Sequence, residues 1–236
     1  MLSLIISNVL AANKYDGCKF ELTDSKGMTA EYNLEYFQLD YDVFTVVDSE
    51  GGQFRQFTYM FDICRSINSN LWSKNTSIPQ ECKHPAKDPA DNYAPCIKSH
   101  VDETDGVSII CDQYEDTTGE IPSAIQIDKN FHNETKCYWL GMEVASTDNL
   151  EEYTMELLDP DDAGKGVVFT ILNGQWCAPT YGFPGRNREL RVKLECPDDA
   201  RIEFEPDSHT TQFKNSVVEE VDTCIYEVSI VSPNAC

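Results

Sequence analysis

Ten cysteines constrain this chain more than any other feature. They stand at Cys18, Cys64, Cys82, Cys96, Cys111, Cys137, Cys177, Cys196, Cys224 and Cys236. Their number is even, their spacing is wide, and no Cys-x-x-Cys occurs. Zinc ribbons and thioredoxin-like redox pairs need that close spacing, so both readings fall. Disulfides formed in an oxidising compartment fit the pattern instead.

The two ends of this inference agree. Leu2 to Leu10 is mostly apolar, and Ala11-Ala12 places small residues before a cleavage point near Asn13. Residues 1–12 therefore read as a short signal peptide, with a first strand of the fold as the alternative. Two sequons, Asn75-Thr76-Ser77 and Asn133-Glu134-Thr135, suit N-glycosylation at Asn75 and Asn133. The expected location is the lumen of the secretory pathway (endoplasmic reticulum, Golgi, endosome or lysosome) or the extracellular space. No later run is long and apolar enough to span a bilayer. A membrane anchor, where one exists, would lie beyond Cys236.

Charge narrows the partners. The formal net charge is −23. Nucleic acid is excluded as an expected partner because phosphate binding needs a basic face. Anionic membrane surfaces are disfavoured for the same reason. With 41% apolar and 11% aromatic residues, the 236-residue chain has enough apolar side chains for a real core. Residues 13–236 read as a single domain.

Strand periodicity dominates the pattern. Phe54 to Ile63 alternates, with Phe57, Tyr59 and Phe61 opposed to Phe54, Gln56, Thr58 and Met60. Tyr32 to Leu39 and Tyr41 to Val47 are rich in aromatic and β-branched residues, and residues 48–52 carry a hairpin turn signal. Lys19 to Ala30 reads as polar with turn residues. Further strands are expected at Val107 to Cys111, Ser123 to Asp128 and Tyr138 to Val144. Others follow at Tyr153 to Leu158, Val167 to Leu172, Leu190 to Leu194, Ala200 to Phe204, Thr211 to Val218 and Cys224 to Val231. No window sustains a 3.6-residue period. The fold class is all-β, a sandwich or flattened barrel. Residues 66–122 differ in composition around Cys82 and Cys96, and read as an insertion pinned by disulfides.

No enzyme chemistry is legible. The histidines His84, His100, His132 and His209 have no metal partner at helical spacing, and Cys82 suits a disulfide better than zinc. No nucleophile elbow, phosphate loop or dinucleotide fingerprint occurs. Among 41 carboxylates a chance pair singles out nothing. No cofactor or metal is expected. His132 and His209 read as exposed polar residues.

A different constellation remains. Vicinal hydroxyls of a sugar donate and accept at once. They pair with the donor fork of Arg, the acceptors of a carboxylate, the two-sided amide of Gln and the hydroxyl of Tyr. Strands carrying these four types, fixed by nearby disulfides, make a rigid polar site.

The residues concerned are Phe61-Asp62-Ile63-Cys64-Arg65, Asn173-Gly174-Gln175-Trp176-Cys177, and Asn187-Arg188, with Arg188 eight positions before Cys196. Glu220 stands four before Cys224, Tyr226 two after it, and Ala235-Cys236 ends the run. This combination resembles the mannose 6-phosphate receptor homology (MRH) domain, which includes the P-type lectins and the glucosidase II beta subunit. It covers roughly residues 15–236, most specifically 123–236.

The resemblance implies a disulfide-stapled, flattened β-barrel of two sheets that binds terminal mannose. It assigns the sugar contacts to Gln126, Arg188, Glu220 and Tyr226, and the disulfides Cys18–Cys64, Cys177–Cys224 and Cys196–Cys236. Gln113 competes with Gln126, and Glu219 with Glu220. Cys82, Cys96, Cys111 and Cys137 are left to pair among themselves, in an order that spacing does not decide. Trp176, beside the corner, is either a stacking surface for a second sugar or a buried ring against the Cys177 disulfide.

Where one receptor of the family carries an acidic residue and a histidine before this cysteine, the chain has Gly174, Gln175 and Trp176. Unphosphorylated mannose, as on high-mannose N-glycans, is therefore the favoured ligand, with phosphorylated mannose the alternative. Three roles follow from the resemblance. One is a lectin for sorting or quality control of glycoproteins. Another is a trafficking or structural domain without sugar binding. The third is a non-catalytic subunit that tethers a glycan-processing enzyme to its substrate.

Overall fold

Alternating inward and outward side chains organise two sheets around one apolar layer. The computed structural model describes residues 13–15, 18–37, 43–48, 55–67, 69–74, 78–83, 94–117, 119–130, 135–142, 153–180, 182–197, 212–213 and 218–236. The expected signal segment, residues 1–12, the sequon asparagines Asn75 and Asn133, His84, His132, His209 and the strand expected at Ala200 to Phe204 lie outside these residues.

The chain opens with β1 (Asn13–Tyr15), β2 (Lys19–Thr23) and β3 (Thr29–Asn33), which form an antiparallel three-stranded sheet. A 3₁₀ turn at Leu34–Phe37 follows. Then come β4 (Phe44–Asp48) and β5 (Arg55–Phe61). Two short helices, α1 (Ser69–Lys74) and α2 (Gln80–Lys83), precede the hairpin β6 (Cys96–Val101) and β7 (Ile109–Tyr114). β8 (Ala124–Asn130) and β9 (Thr135–Gly141) complete an antiparallel sheet in the order β4-β5-β8-β9.

The second main sheet is built from β10 (Tyr153–Leu157), β11 (Gly166–Ile171), β14 (Glu189–Glu195), β17 (Ile225–Val231) and β15 (Gln212–Phe213), in that order. β16 (Glu219–Asp222) pairs separately with β17. Between β11 and β14 lies a small ladder of β12 (Trp176–Cys177) and β13 (Arg186–Asn187). β14 and β17 run parallel, and the other pairs in this sheet are antiparallel.

The inward faces of the two main sheets meet in one core. Phe44, Val46, Tyr59, Phe61, Ala124 and Leu140 come from the first sheet. Val167, Phe169, Ile171, Leu190, Val192, Leu194, Val228 and Ile230 come from the second. Phe20, Leu22 and Tyr32 of the N-terminal hairpin join this core. The all-β expectation is met, with the two facing sheets of a flattened sandwich.

The first sheet is buried on its outer face as well. Met60, Ile125, Ile127, Cys137 and Trp139 point away from the sandwich and pack with Ile67, Trp72, Ile78 and Cys82. The Trp72 and Trp139 rings meet edge to face, 6.2 Å between centroids. Trp139 also donates its indole N–H to the Cys82 carbonyl at 3.3 Å. The insertion is therefore more than a pinned loop. Its two helices cap an apolar sheet face that would otherwise meet water.

Two local expectations are corrected. Lys19 to Ala30 forms most of a β-hairpin; its alternation was masked because β2 turns only Phe20 and Leu22 inward. The strand expected over Tyr32 to Leu39 ends at Asn33, where the Asn33 carboxamide accepts the Glu35 N–H at 3.1 Å and the chain turns into the 3₁₀ segment.

Five disulfides tie these layers: Cys18–Cys64, Cys82–Cys137, Cys96–Cys111, Cys177–Cys224 and Cys196–Cys236. Cys96–Cys111 braces the inserted hairpin from within. Cys82–Cys137 fastens α2 to β9.

Truncating Ile125, which is fully buried in the outer cluster, tests the capping role of the helices. Ile125→Ala should cost about 2–5 kcal/mol, the usual range for a buried Ile cut to Ala. Equilibrium urea unfolding measures it. A loss near zero would mean that the outer face is not a core.

Candidate functional site

At one place the inward-facing rows stop being apolar. In the first sheet, register places Tyr59 of β5, Gln126 of β8 and Tyr138 of β9 side by side. Directly opposed residues of neighbouring strands share a face, so all three point the same way. In the second sheet the corresponding row is Leu190, Tyr226 and Glu220. Arg188 lies two positions before Leu190, at the entry to β14.

The two rows are joined by polar contacts. Gln126 donates through Nε2 to the Tyr59 hydroxyl at 2.8 Å. The Tyr59 and Tyr226 rings lie 5.8 Å apart across the gap between the sheets. Arg188 donates through Nη1 to the Tyr226 hydroxyl at 2.6 Å. Its guanidinium carbon sits 4.4 Å from the centroid of the Tyr138 ring. The four side chains singled out from the sequence thus stand in one neighbourhood.

Glu220 forms the outer edge of this set. Its side chain is exposed, unlike Gln126 and Tyr226, each 4% exposed. One carboxylate oxygen accepts the Cys224 N–H at 2.8 Å. That bond closes the turn between β16 and β17, where Cys224 holds a left-handed φ of 66°. The register shift between Glu220 and Asp222 marks a bulge, a device that re-aims side chains at a sheet edge.

Register also separates the competing residues. Glu220 pairs with Tyr226 and shares its face, whereas Glu219 pairs with Glu227 on the opposite face. Gln113 is exposed on β7, opposite Lys98, in the inserted hairpin. The structure brings Gln126, and not Gln113, to Tyr59.

Trp176 stands on β12, half-buried. A side chain at Gly185 would put its Cβ 2.9 Å from the Trp176 ring, at a φ of +95°. The inserted hairpin leans on this corner. Asn187 accepts the Cys96 N–H at 2.7 Å and donates to the Cys96 carbonyl at 3.0 Å. The Trp176 N–H reaches the Ala94 carbonyl at 3.0 Å.

Tyr59 and Tyr138 are the members that sequence reasoning missed. Tyr59 lies in a strand whose alternation was plain, but nothing in a linear sequence shows that it opposes Gln126. Only the β5–β8 register reveals it.

The electrostatics favour neutral phenols. The Tyr226 hydroxyl is pushed up to about 12, chiefly by burial, with the Arg188 charge opposing the rise and the Glu220 charge adding to it. Burial likewise raises Tyr59 well above the ordinary tyrosine value, offset in part by its bond from Gln126. At neutral pH both hydroxyls keep their protons and can donate as well as accept. The set therefore offers amide, guanidinium, carboxylate and hydroxyl groups to a polyhydroxylated ligand. Among the described residues, no group of three or more His, Cys, Asp or Glu side chains is placed to hold a metal ion.

Raised tyrosine values carry a stability consequence. The unfolded chain loses these protons near pH 10, while the folded chain holds them to about 12 at Tyr226 and at Tyr32. The stabilisation is complete below pH 10 and is lost as pH rises through that window. Urea midpoints should fall between pH 10 and pH 12, and Tyr226→Phe should flatten the fall. An unchanged slope in that variant would contradict the burial of the phenol.

No protein-family model matches the chain, and no curated protein matches it. Among solved structures it is similar to the MRH domain of glucosidase II beta bound to mannose, at 18% identity and a TM-score of 0.21, over 48% of this chain and 83% of that one.

Proposed function

We propose that this chain is an MRH-type lectin module that binds terminal, unphosphorylated mannose on the high-mannose N-glycans of glycoproteins. The observation that carries this reading is the meeting of Gln126, Arg188, Glu220 and Tyr226 at one end of an otherwise apolar sandwich. The spacing of these residues to their cysteines is the second support. Mannose presents adjacent hydroxyls, and each hydroxyl needs a donor and an acceptor. Gln126 and Arg188 supply donors, the Glu220 carboxylate supplies acceptors, and the Tyr59 and Tyr226 hydroxyls supply either.

The absence of phosphate from the proposed ligand follows from the charge of the rim. β16 exposes Glu219, Glu220 and Asp222. Arg186, the cation at the end of the preceding loop, is spent on Asp222 at 3.2 Å. A phosphate group would meet the repulsion of these carboxylates at the rim. Trp176 is the proposed contact for a second sugar ring. Five disulfides support a working place in the secretory pathway or outside the cell. Sorting or quality control of glycoproteins is the proposed role.

One observation favours a second reading. Gln126, Tyr59 and Tyr226 are nearly inaccessible and already bonded to protein partners. In that reading they are a satisfied buried network in a trafficking or structural domain, and partner binding does not depend on Arg188.

A glycan array separates the two. The wild-type chain should bind mannose-terminated glycans and ignore phosphomannosyl ones. Arg188→Ala should abolish binding without unfolding the chain, since each unfilled polar partner costs about 1–3 kcal/mol. Silence of the wild type on high-mannose glycans would remove the lectin reading and leave the structural one.

A further inference from the structure

Arg188 is the cation of the site, and an arginine is a poor ligand for sugar unless something stops it from moving. Its side chain has many rotamers, and freezing them at the moment of binding costs affinity. The structure supplies three restraints. The Tyr138 ring lies under the guanidinium at 4.4 Å. The Tyr226 hydroxyl holds Nη1. The Arg188 main chain is fixed at both polar groups: its N–H donates to the Gln175 carbonyl and its carbonyl accepts the Gly174 N–H, each at 3.0 Å.

Two atoms stand out against these satisfied groups. Arg188 Nε and Gln175 Oε1 are both buried and have no hydrogen-bond partner among the described residues. One is a donor and the other an acceptor. They belong to residues whose main chains are already bonded to each other. Gln175 is nine-tenths buried, and buried polar atoms are seldom left unpaired. Gln175 reaches this place because residue 174 is glycine. A Cβ there would lie 2.6 Å from the Arg188 carbonyl oxygen and 2.7 Å from that of Trp139.

We propose that Tyr138 and Gln175 are positioning residues for Arg188. The Tyr138 ring sets the plane of the guanidinium. The Gln175 carboxamide takes the Nε–H when a ligand draws on the fork, which leaves the outer nitrogens aimed at sugar hydroxyls. Neither residue needs to touch the sugar. The inference rests on the mannose reading of the site, and the experiment below separates the failure of one from the failure of the other.

The test is paired. The Arg188 Nε–H resonance, assigned by its loss in Arg188→Lys, is followed in ¹⁵N-labelled protein while affinity for methyl α-mannopyranoside is titrated. In the wild type the resonance should show the ring-current shift of a group stacked on tyrosine. Tyr138→Phe keeps the aromatic face and should keep both the shift and the affinity within about twofold. Tyr138→Leu should lose the shift and weaken binding about tenfold. Gln175→Met, close to the same volume but without an acceptor, should weaken binding about fivefold, and Gln175→Glu should restore it. Gln175→Met also carries the test should Tyr138→Leu fail to fold.

Wild-type affinity in both Tyr138→Leu and Gln175→Met would overturn the positioning role while leaving the lectin reading intact. A wild type that binds no mannoside, yet shows the shifted resonance and its loss in Tyr138→Leu, would support the cradle and overturn the lectin reading.

Discussion

The segment Leu172–Gln175 is hydrogen-bonded to β9 on one side and to the start of β14 on the other. Met142 donates to the Leu172 carbonyl at 3.0 Å, and Gln175 donates to the Trp139 carbonyl at 2.8 Å. Gly174 and Gln175 exchange main-chain bonds with Arg188. Backbone approaches this close leave no room for side chains. At Gly141 a Cβ would lie 2.3 Å from Ile171 Cγ2, and at Gly174 it would collide with main-chain atoms of Trp139, Leu140 and Arg188. Asn173 between them adopts φ 61°, a region that asparagine tolerates better than most residues. This stitch brings the row Tyr59, Gln126, Tyr138 opposite Arg188 and Tyr226. Without it the two sheets would still share an apolar core, but their polar ends would have no fixed relation.

The rest of the architecture protects that relation. Cys177–Cys224 links the strand after the stitch to the turn that Glu220 closes. The inserted segment supports it from the other side. Its helices cover the outer face of β5, β8 and β9, so that β8 is buried on both faces. Its hairpin holds Asn187, the residue before Arg188. A strand packed on both sides keeps Gln126 in a single orientation.

Much of this was legible in the sequence because the informative residues are local to cysteines. Arg188, Glu220 and Tyr226 each sit at short, countable distances from Cys196 or Cys224. The strands with strong alternation, such as β5 and β14, also declare themselves. What stayed hidden depends on pairing between distant segments. Tyr59 and Tyr138 are ordinary strand tyrosines until register sets them beside Gln126. The helices α1 and α2 are too short to show a helical period, and their burial is imposed by the sheet they cover. The hairpin of β2 and β3 was obscured by its exposed polar face.

In the proposed function, residues from both sheets take hold of one mannose together. Chemical-shift mapping with methyl α-mannopyranoside tests it most directly. Saturable changes are expected at the Gln126 side-chain amide and in the backbone of Glu220–Tyr226, following one binding curve. No change at either place, or changes confined to the inserted hairpin around Lys98 and Gln113, would contradict it.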